Sequence, residues 1–360
     1  MKIVLDAIGG DHAPAATVAG AVQAARDLGV EVVLAGPRER IESELARHNT
    51  AGLRLPVVDA PEIIEMDEHA VQAVRRKKAS SVAVGLRMVR DGEADAFVSA
   101  GHSGATMAGA LFILGRVGTI ERPCLATIFP SLNGRLIVAD VGATTDCRPE
   151  YLLQFARMTS LYAQLVVGLE RPRVALLANG EEDTKGDKLV QDAHALLKAS
   201  DLHFVGNAEP KDAMAGDVTD VLIADGFVGN LFLKQAEATA KFAMLKVKQS
   251  FMPRLPLRGA LGLAPLALLA AFSPAPAWVL GAGLVSAPAL LAALGAPLYG
   301  LRKTLDYRAY GGAPLLGVNG VTIVAHGKSD AFAVANALRR AKESVDRGLV
   351  AAIANIEAAT

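Results

Sequence analysis

The chain has 360 residues, enough for one large domain or two lobes around an ample core. Its 37 basic and 37 acidic residues balance to zero, so no overall charge draws it to nucleic acid. Two cysteines, Cys124 and Cys147, exclude a disulfide framework or a zinc cluster, and the opening has no signal-peptide layout, so a reducing cytoplasm is expected.

Short apolar runs alternate with helical patterns from the start. Ile3–Leu5 predicts a strand, then a glycine loop and an alanine-rich helix over Ala15–Leu28. Val32–Leu34, Val57–Asp59 and Ala96–Val98 read as strands, with a helix over Ser81–Arg90 before the last of them. Cys124–Phe129 and Leu136–Ala139 read as an adjacent strand pair joined by a turn at Ser131-Leu132-Asn133-Gly134. Val174–Leu177, Phe204–Val205, Val221–Ala224 and Val321–Val324 complete the strands. Helices are expected over Glu150–Val166, Lys185–Leu197, Gly229–Gln249 and Ala331–Arg347. This alternation predicts an α/β fold with a doubly wound, largely parallel sheet, one catalytic domain or two lobes over 1–360.

Four strand ends share one form: an Asp or Ser, then glycine. They are Asp6-Ala7-Ile8-Gly9-Gly10-Asp11-His12, Ser99-Ala100-Gly101-His102-Ser103-Gly104, Asp140-Val141-Gly142-Ala143 and Asp225-Gly226-Phe227-Val228-Gly229-Asn230. Ligands of open α/β sheets bind beyond the carboxyl ends of strands, where loop amides and helix N-termini accept phosphate. The candidate phosphate-binding set is therefore Asp6, Gly9, Gly10, Asp11, Gly101, Ser103, Gly104, Asp140, Gly142, Asp225, Gly226 and Gly229. The four aspartates repel a dianion, so their expected role is a supporting one: to hold loop backbones or to orient a lysine or histidine. None of the loops is a Walker A or a full dinucleotide fingerprint, and a tight turn is the ordinary use of each glycine.

From Gly259 to Leu301 the chain runs 43 residues without a charge, flanked by Arg254, Arg258, Arg302 and Lys303. Basic flanks suit anionic headgroups. Pro265, Pro274, Pro276, Pro288 and Pro297 cut the stretch into pieces too short to span the hydrocarbon core. An apolar hairpin over 251–303, dipping into one leaflet, is the expected form. Leu263, Leu266, Leu269, Phe272, Trp278, Leu280, Leu290 and Leu291 are its membrane-contact candidates. A buried dimer interface and a transmembrane pair are the other two readings. The basic run Arg75-Arg76-Lys77-Lys78 reads as a solvated face or as a docking patch.

The glycine loops belong to a longer series. It includes Leu5 to Pro14, Met66-Asp67-Glu68, Arg76-Lys77-Lys78-Ala79-Ser80-Ser81, Gly180-Glu181-Glu182-Asp183-Thr184-Lys185-Gly186, Phe204-Val205-Gly206-Asn207 and Tyr310 to Gly320. In these segments the chain closely resembles the bacterial phosphate acyltransferase of phospholipid synthesis, which turns acyl-[acyl-carrier-protein] thioesters into acyl phosphates. The resemblance implies a cytoplasmic homodimer peripherally attached to the membrane, with a fold similar to phosphotransacetylases and isopropylmalate dehydrogenases. It implies acyl carrier protein and inorganic phosphate as partners, a downstream membrane glycerol-phosphate acyltransferase as a further one, and no cofactor or metal. The chain departs from the family pattern at His102-Ser103 for Asn-Thr, Thr144 for Asn, Ala178-Asn179 for Asn-Ile and Lys328 for Ser.

The implied reaction needs a dianion site, stabilisation of a tetrahedral oxyanion and protonation of a departing thiolate. Phosphate is its own nucleophile, which suits a chain without a nucleophile motif. Lys185, expected at a helix start, is the first candidate to bind phosphate or the oxyanion; a surface lysine is the alternative. Asn230 is a candidate amide donor or an N-cap, and His12 a candidate general acid or a loop-stabilising residue. A short-chain phosphotransacetylase and a non-catalytic membrane scaffold that docks carrier protein are the competing functions.

Overall fold

A computed structural model describes residues 1–251 and 307–356. The membrane-contact candidates Leu263 to Leu291 lie outside the described residues. No helix among the described residues is long and apolar enough to cross a membrane. The chain divides into two units, Met1–Leu231 with Tyr307–Thr360, and Phe232–Asp306.

The first unit contains twelve strands: β1 Lys2–Asp6, β2 Glu31–Gly36, β3 Val57–Asp59, β4 Ala96–Ser99, β5 Cys124–Leu125, β6 Thr127–Ser131, β7 Gly134–Ala139, β8 Val174–Leu177, β9 Phe204–Ala208, β10 Val221–Ile223, β11 Ala313–Leu316 and β12 Val321–Val324. They form two sheets, ordered β3-β2-β1-β4-β12-β11-β5 and β6-β7-β10-β8-β9. The first is parallel from β3 to β12, with Ile3 opposite Val32 and Ala96, and Val321 opposite Ala96. The second is parallel from β7 to β9, with Val221 opposite both Ile137 and Val174. Central parallel strands are covered on both faces and so read as continuous apolar runs; β8 is buried at all four positions.

Each sheet has its own core. Ile3, Leu5, Val32, Leu34, Val98 and Ile323 pack with Val18 and Ala21 of helix Ala15–Leu28 and with Val334 and Leu338 of helix Ala331–Asp346. In the second, Ile137, Leu176 and Ile223 pack with Leu152, Phe155, Met158 and Tyr162 of helix Pro149–Tyr162.

The expected strand Cys124–Phe129 is divided. Cys124–Leu125 joins the first sheet beside β11, while Thr127–Ser131 joins the second beside β7. The break falls at Ala126, whose N–H donates to the Pro314 carbonyl at 3.1 Å, so one segment serves both sheets. Strand β11 was hidden in a glycine- and proline-rich motif that reads as loop; Gly311 and Gly312, both at φ 80°, turn the chain into it. Helix Lys188–Lys198 begins three residues after the expected start, because the Asp187 carboxylate accepts the Val190 N–H at 2.9 Å. Helix Gly226–Phe251 begins three residues early, because the Asp225 carboxylate accepts the N–H groups of Phe227 at 2.9 Å and Val228 at 3.0 Å.

Candidate active site

The carboxyl ends of β1, β4 and β12 lie side by side, and their loops interlock. Asp6 is buried at the end of β1 and accepts the Ser99 hydroxyl of β4 at 2.8 Å and the Ile8 N–H at 3.3 Å. Ser99 Oγ in turn accepts the Gly101 N–H at 3.1 Å. Burial raises the Asp6 pKa, and its hydroxyl and amide donors oppose the rise. A Cβ on Gly9 would sit 2.3 Å from an Asp6 carboxylate oxygen and 2.8 Å from the Gly101 nitrogen, so only glycine lets the two loops close. The Asp11 N–H donates to the Gly327 carbonyl at 2.7 Å and draws in the loop after β12. That loop brings Gly327 against Gly10 and Asp11 and leaves Lys328, the family departure that follows it, exposed to solvent.

His102 caps helix Ser103–Gly109. Its Nδ1 accepts the Ala105 N–H at 3.3 Å, and Nε2 lies 3.0 Å from the Glu68 carbonyl. The neutral tautomer with the proton on Nε2 satisfies both contacts, so His102 supplies the acceptor that Asn would supply at a cap. Among the described residues, the backbone amides of Gly10, Ser103 and Gly104 have no partner. His12 and Ser103 are exposed and their side chains have no hydrogen-bond partner among those residues.

At the second sheet the same sequence form has another outcome. Asp140 is fully buried at the end of β7. One carboxylate oxygen accepts N–H groups from Leu125 at 2.7 Å, Gly142 at 3.2 Å and Ala143 at 3.1 Å; the other accepts Ala143 at 3.0 Å and Thr144 at 2.6 Å. Burial pushes its pKa up to about 6, against the pull of those amides. A Cβ on Gly226 would stand 2.6 Å from an Asp140 carboxylate oxygen, and one on Gly229 would stand 2.0 Å from the Asp140 carbonyl oxygen. The Gly226 N–H donates to Thr144 at 2.8 Å and the Gly229 N–H to Asp225 at 2.9 Å. Gly142, Gly226 and Gly229 therefore correct the sequence expectation: they pack helix Gly226–Phe251 onto the Asp140 loop and have no free amide for phosphate. Asp225 is likewise that helix's N-cap. Asn230 is not the cap; it lies in the helix, exposed, its amide beside Gly142.

Lys185 lies in the loop after β8, not at a helix start. The loop is held from outside. The Asn207 amide donates to the Glu182 carbonyl at 2.9 Å, and the Gly186 N–H donates to Asn179 Oδ1 at 3.0 Å. Gln191 Nε2 reaches the carbonyls of Thr184 at 2.9 Å and Gly186 at 3.1 Å. Buried His194 has Nδ1 3.1 Å from Asn207 Oδ1 and Nε2 3.3 Å from Asp183, which also pairs with Lys198 at 2.7 Å. That Lys198 hydrogen bond, then His194, holds the Asp183 pKa below the usual carboxylate range. The Lys185 stem packs over Gly180, and its ammonium has no carboxylate or hydrogen-bond partner among the described residues. Sequence reading gave no role to His194, Asn207, Asn179 or Gln191. Asn207, inside a recognised motif, and Asn179, at a departure from the family pattern, carried a signal.

The basic run is not uniform. Lys77 pairs with Glu68 and reaches the Ile63 carbonyl, while Arg75 stacks 4.8 Å from the ring centroid of exposed Phe112. No hydrogen bond or ion pair joins the Asp6, Asp140 and Lys185 loops to one another among the described residues.

The profile of the family described as fatty acid synthesis protein matches residues 1–262 and 282–352. The chain is 58% identical over 360 residues to a phosphate acyltransferase of Herpetosiphon aurantiacus, covering 99% of this chain and 97% of the relative. It is 43% identical to one of Desulforamulus reducens, with 98% and 96% covered. Among solved structures it is similar in fold to the EutD phosphotransacetylase of Staphylococcus aureus, with a TM-score of 0.55 at 17% identity over 96% of this chain and 94% of that one.

Proposed function

We propose a mechanism for a chain that belongs to the phosphate acyltransferase family: transfer of a fatty acyl group from acyl carrier protein to inorganic phosphate. The near-full-length identity to phosphate acyltransferases carries the assignment. The open amides of Gly10, Ser103 and Gly104 and the unpaired Lys185 ammonium support the details. Phosphate docks on those amides, with Lys328 adding to the positive field. A phosphate oxygen attacks the thioester carbonyl carbon. Lys185 and the Asn230 amide stabilise the tetrahedral oxyanion. The C–S bond then breaks, the acyl phosphate forms, and the thiolate leaves with a proton from His12 or from water. Asp6, Asp11, Asp140 and Asp225 hold loops and touch no reacting atom.

The carrier protein is acidic in the family that the chain resembles. Arg75, which stacks on Phe112, with exposed Arg76 and Lys78 is the docking patch in this reading. The uncharged stretch with basic flanks supports peripheral membrane attachment, and a homodimer and a downstream membrane glycerol-phosphate acyltransferase complete the proposed partners. The direct assay is phosphate-dependent release of free carrier-protein thiol, run against acetyl-CoA as competing donor. Lys185→Ala lowers that rate by about 30- to 1000-fold, or about 2–4 kcal/mol. Near-wild-type turnover by the folded variant returns Lys185 to the surface. Replacing 259–301 by a short polar linker abolishes liposome co-sedimentation and spares turnover; loss of the dimer with activity would make the stretch a subunit interface.

A further inference from the structure

We propose that His102 is a positioning residue that keeps the phosphate site open, by holding a backbone carbonyl away from the amides that phosphate needs. The inference rests on the reading that the Ser103 and Gly104 amides bind phosphate. Its starting point is the segment before helix Ser103–Gly109 in space, residues 61–81, which closes on itself. The Glu62 carboxylate accepts the Ala79 N–H at 2.7 Å. The Glu68 carboxylate accepts the Glu65 N–H at 2.9 Å and pairs with Lys77, whose ammonium also reaches the Ile63 carbonyl. Among the described residues, His102 is the one residue outside this segment that hydrogen-bonds any of residues 61–77: its Nε2 donates to the Glu68 carbonyl at 3.0 Å.

Both ring nitrogens are therefore in use. Nδ1 accepts the Ala105 N–H and caps the helix, which continues as a wider turn from Ala110 to Leu114. A carbonyl only accepts, so the proton sits on Nε2. The bridge stands at the mouth of the helix. A Cβ on Gly104 would lie 3.1 Å from the Ala70 side chain and 3.2 Å from the His102 ring, so the chain just past Glu68 and the imidazole flank the open amides. Without the Nε2 proton, the Glu68 carbonyl is an acceptor without a partner beside two donors without partners. Groups so placed gain by pairing with each other. The carbonyl then closes the Ser103 and Gly104 amides as the Asp140 carboxylate closes the amides of its own loop. Phosphate has to displace it, and the cost appears in phosphate binding and not in the chemical step.

His102→Asn separates the cap from the bridge. Asparagine is a strong N-cap, and its side chain ends short of the Nε2 position. The readouts are phosphate kinetics with the acyl-carrier-protein donor and amide hydrogen exchange over residues 101–109, both on the full chain. The thermal midpoint of the variant stays at the wild-type value. KM for phosphate rises about three- to tenfold, the size of one net hydrogen bond, and kcat is unchanged because saturating phosphate displaces the carbonyl. In the absence of phosphate, exchange over 101–109 slows, since the Ser103 and Gly104 amides are then bonded; the loss of a merely structural contact moves exchange the other way. Three results overturn the proposal. Unchanged KM with unchanged exchange makes His102 a cap alone. Faster exchange with a lower thermal midpoint makes it a contact of the fold. In both of these cases Ser103→Pro still slows the phosphate-dependent rate, so the reading of the site survives. Slower exchange with an unchanged KM means that the covered amides are not where phosphate binds, and the reading of the site falls together with the proposal.

Discussion

The loops after β1 and β7 begin alike, with a buried aspartate followed by glycine, and they end as opposites. Asp6 accepts through Ser99 and leaves Gly10 and its neighbours Ser103 and Gly104 with open amides. Asp140 gathers the amides of Leu125, Gly142, Ala143 and Thr144 onto its own carboxylate. A carboxylate in a glycine loop can therefore be a strut beside an anion site or a plug that fills one. The deciding feature is how many N–H groups the carboxylate consumes. The strand–Asp–Gly pattern does not carry that count.

The largest expected effect breaks the open side of this comparison. Ser103 is the first residue of helix Ser103–Gly109, and His102 before it is extended at φ −68° and ψ 100°. Proline is tolerated at that helical position and after that backbone. Ser103→Pro therefore removes one open N–H and keeps the helix. If the amide binds phosphate, the phosphate-dependent rate falls about 100- to 1000-fold, as for loss of a donor in an oxyanion hole. Ser103→Ala, which keeps the amide, stays close to wild type. Equal losses in the two variants would mean that the hydroxyl acts and the amide does not.

The closed side is probed by pH. Asp140 has a folded-state pKa of about 6 against an ordinary value of 3.8. Between those values the folded state holds a proton that the unfolded state has released, so stability falls as pH rises through the window. The fall is about 3 kcal/mol for two pKa units. Denaturant midpoints at pH 4 and pH 6.5 measure it. Asp140→Asn flattens this part of the profile. At neutral pH it costs about 1–3 kcal/mol, because an amide nitrogen then faces backbone donors. A wild-type profile as flat as the variant's would mean that the five amide bonds outweigh burial.

Much of this was legible beforehand. The parallel core strands announce themselves as apolar runs such as Val174–Leu177, and the α/β class followed from their alternation with helices, although one doubly wound sheet was expected where two form. Asp6, Gly101 and Lys185 were visible because each sits at a strand end or in a recognised motif. The hidden parts depend on contacts distant in sequence. Nothing near Ala126 says that a carbonyl at Pro314 will split its strand. Gly226 and Gly229 looked like phosphate ligands because glycine marks close approach without saying what approaches. His194 gave no signal because Asn207 and Asp183, its two partners, lie 13 and 11 residues away on opposite sides of it.

The Lys185 loop is a third solution, and its test has the smallest expected effect. It has no buried carboxylate of its own; His194 braces it from the neighbouring helix. Asn207 donates its amide to Glu182, so its oxygen faces His194 Nδ1 as an acceptor, while Nε2 faces the Asp183 carboxylate. His194→Ala removes the brace while leaving the Gln191 and Asn179 bonds to the loop. Lys185 then samples more positions, and turnover falls by about tenfold, near 1.4 kcal/mol. A positioning role predicts that the loss appears in kcat and in KM for phosphate. It also predicts that His194→Ala adds little to Lys185→Ala, because the brace acts only through the lysine. A purely structural role predicts lower stability with unchanged kcat in the folded fraction, and effects that add in the double variant. The double-variant cycle therefore decides whether the third loop is braced for catalysis or only for folding.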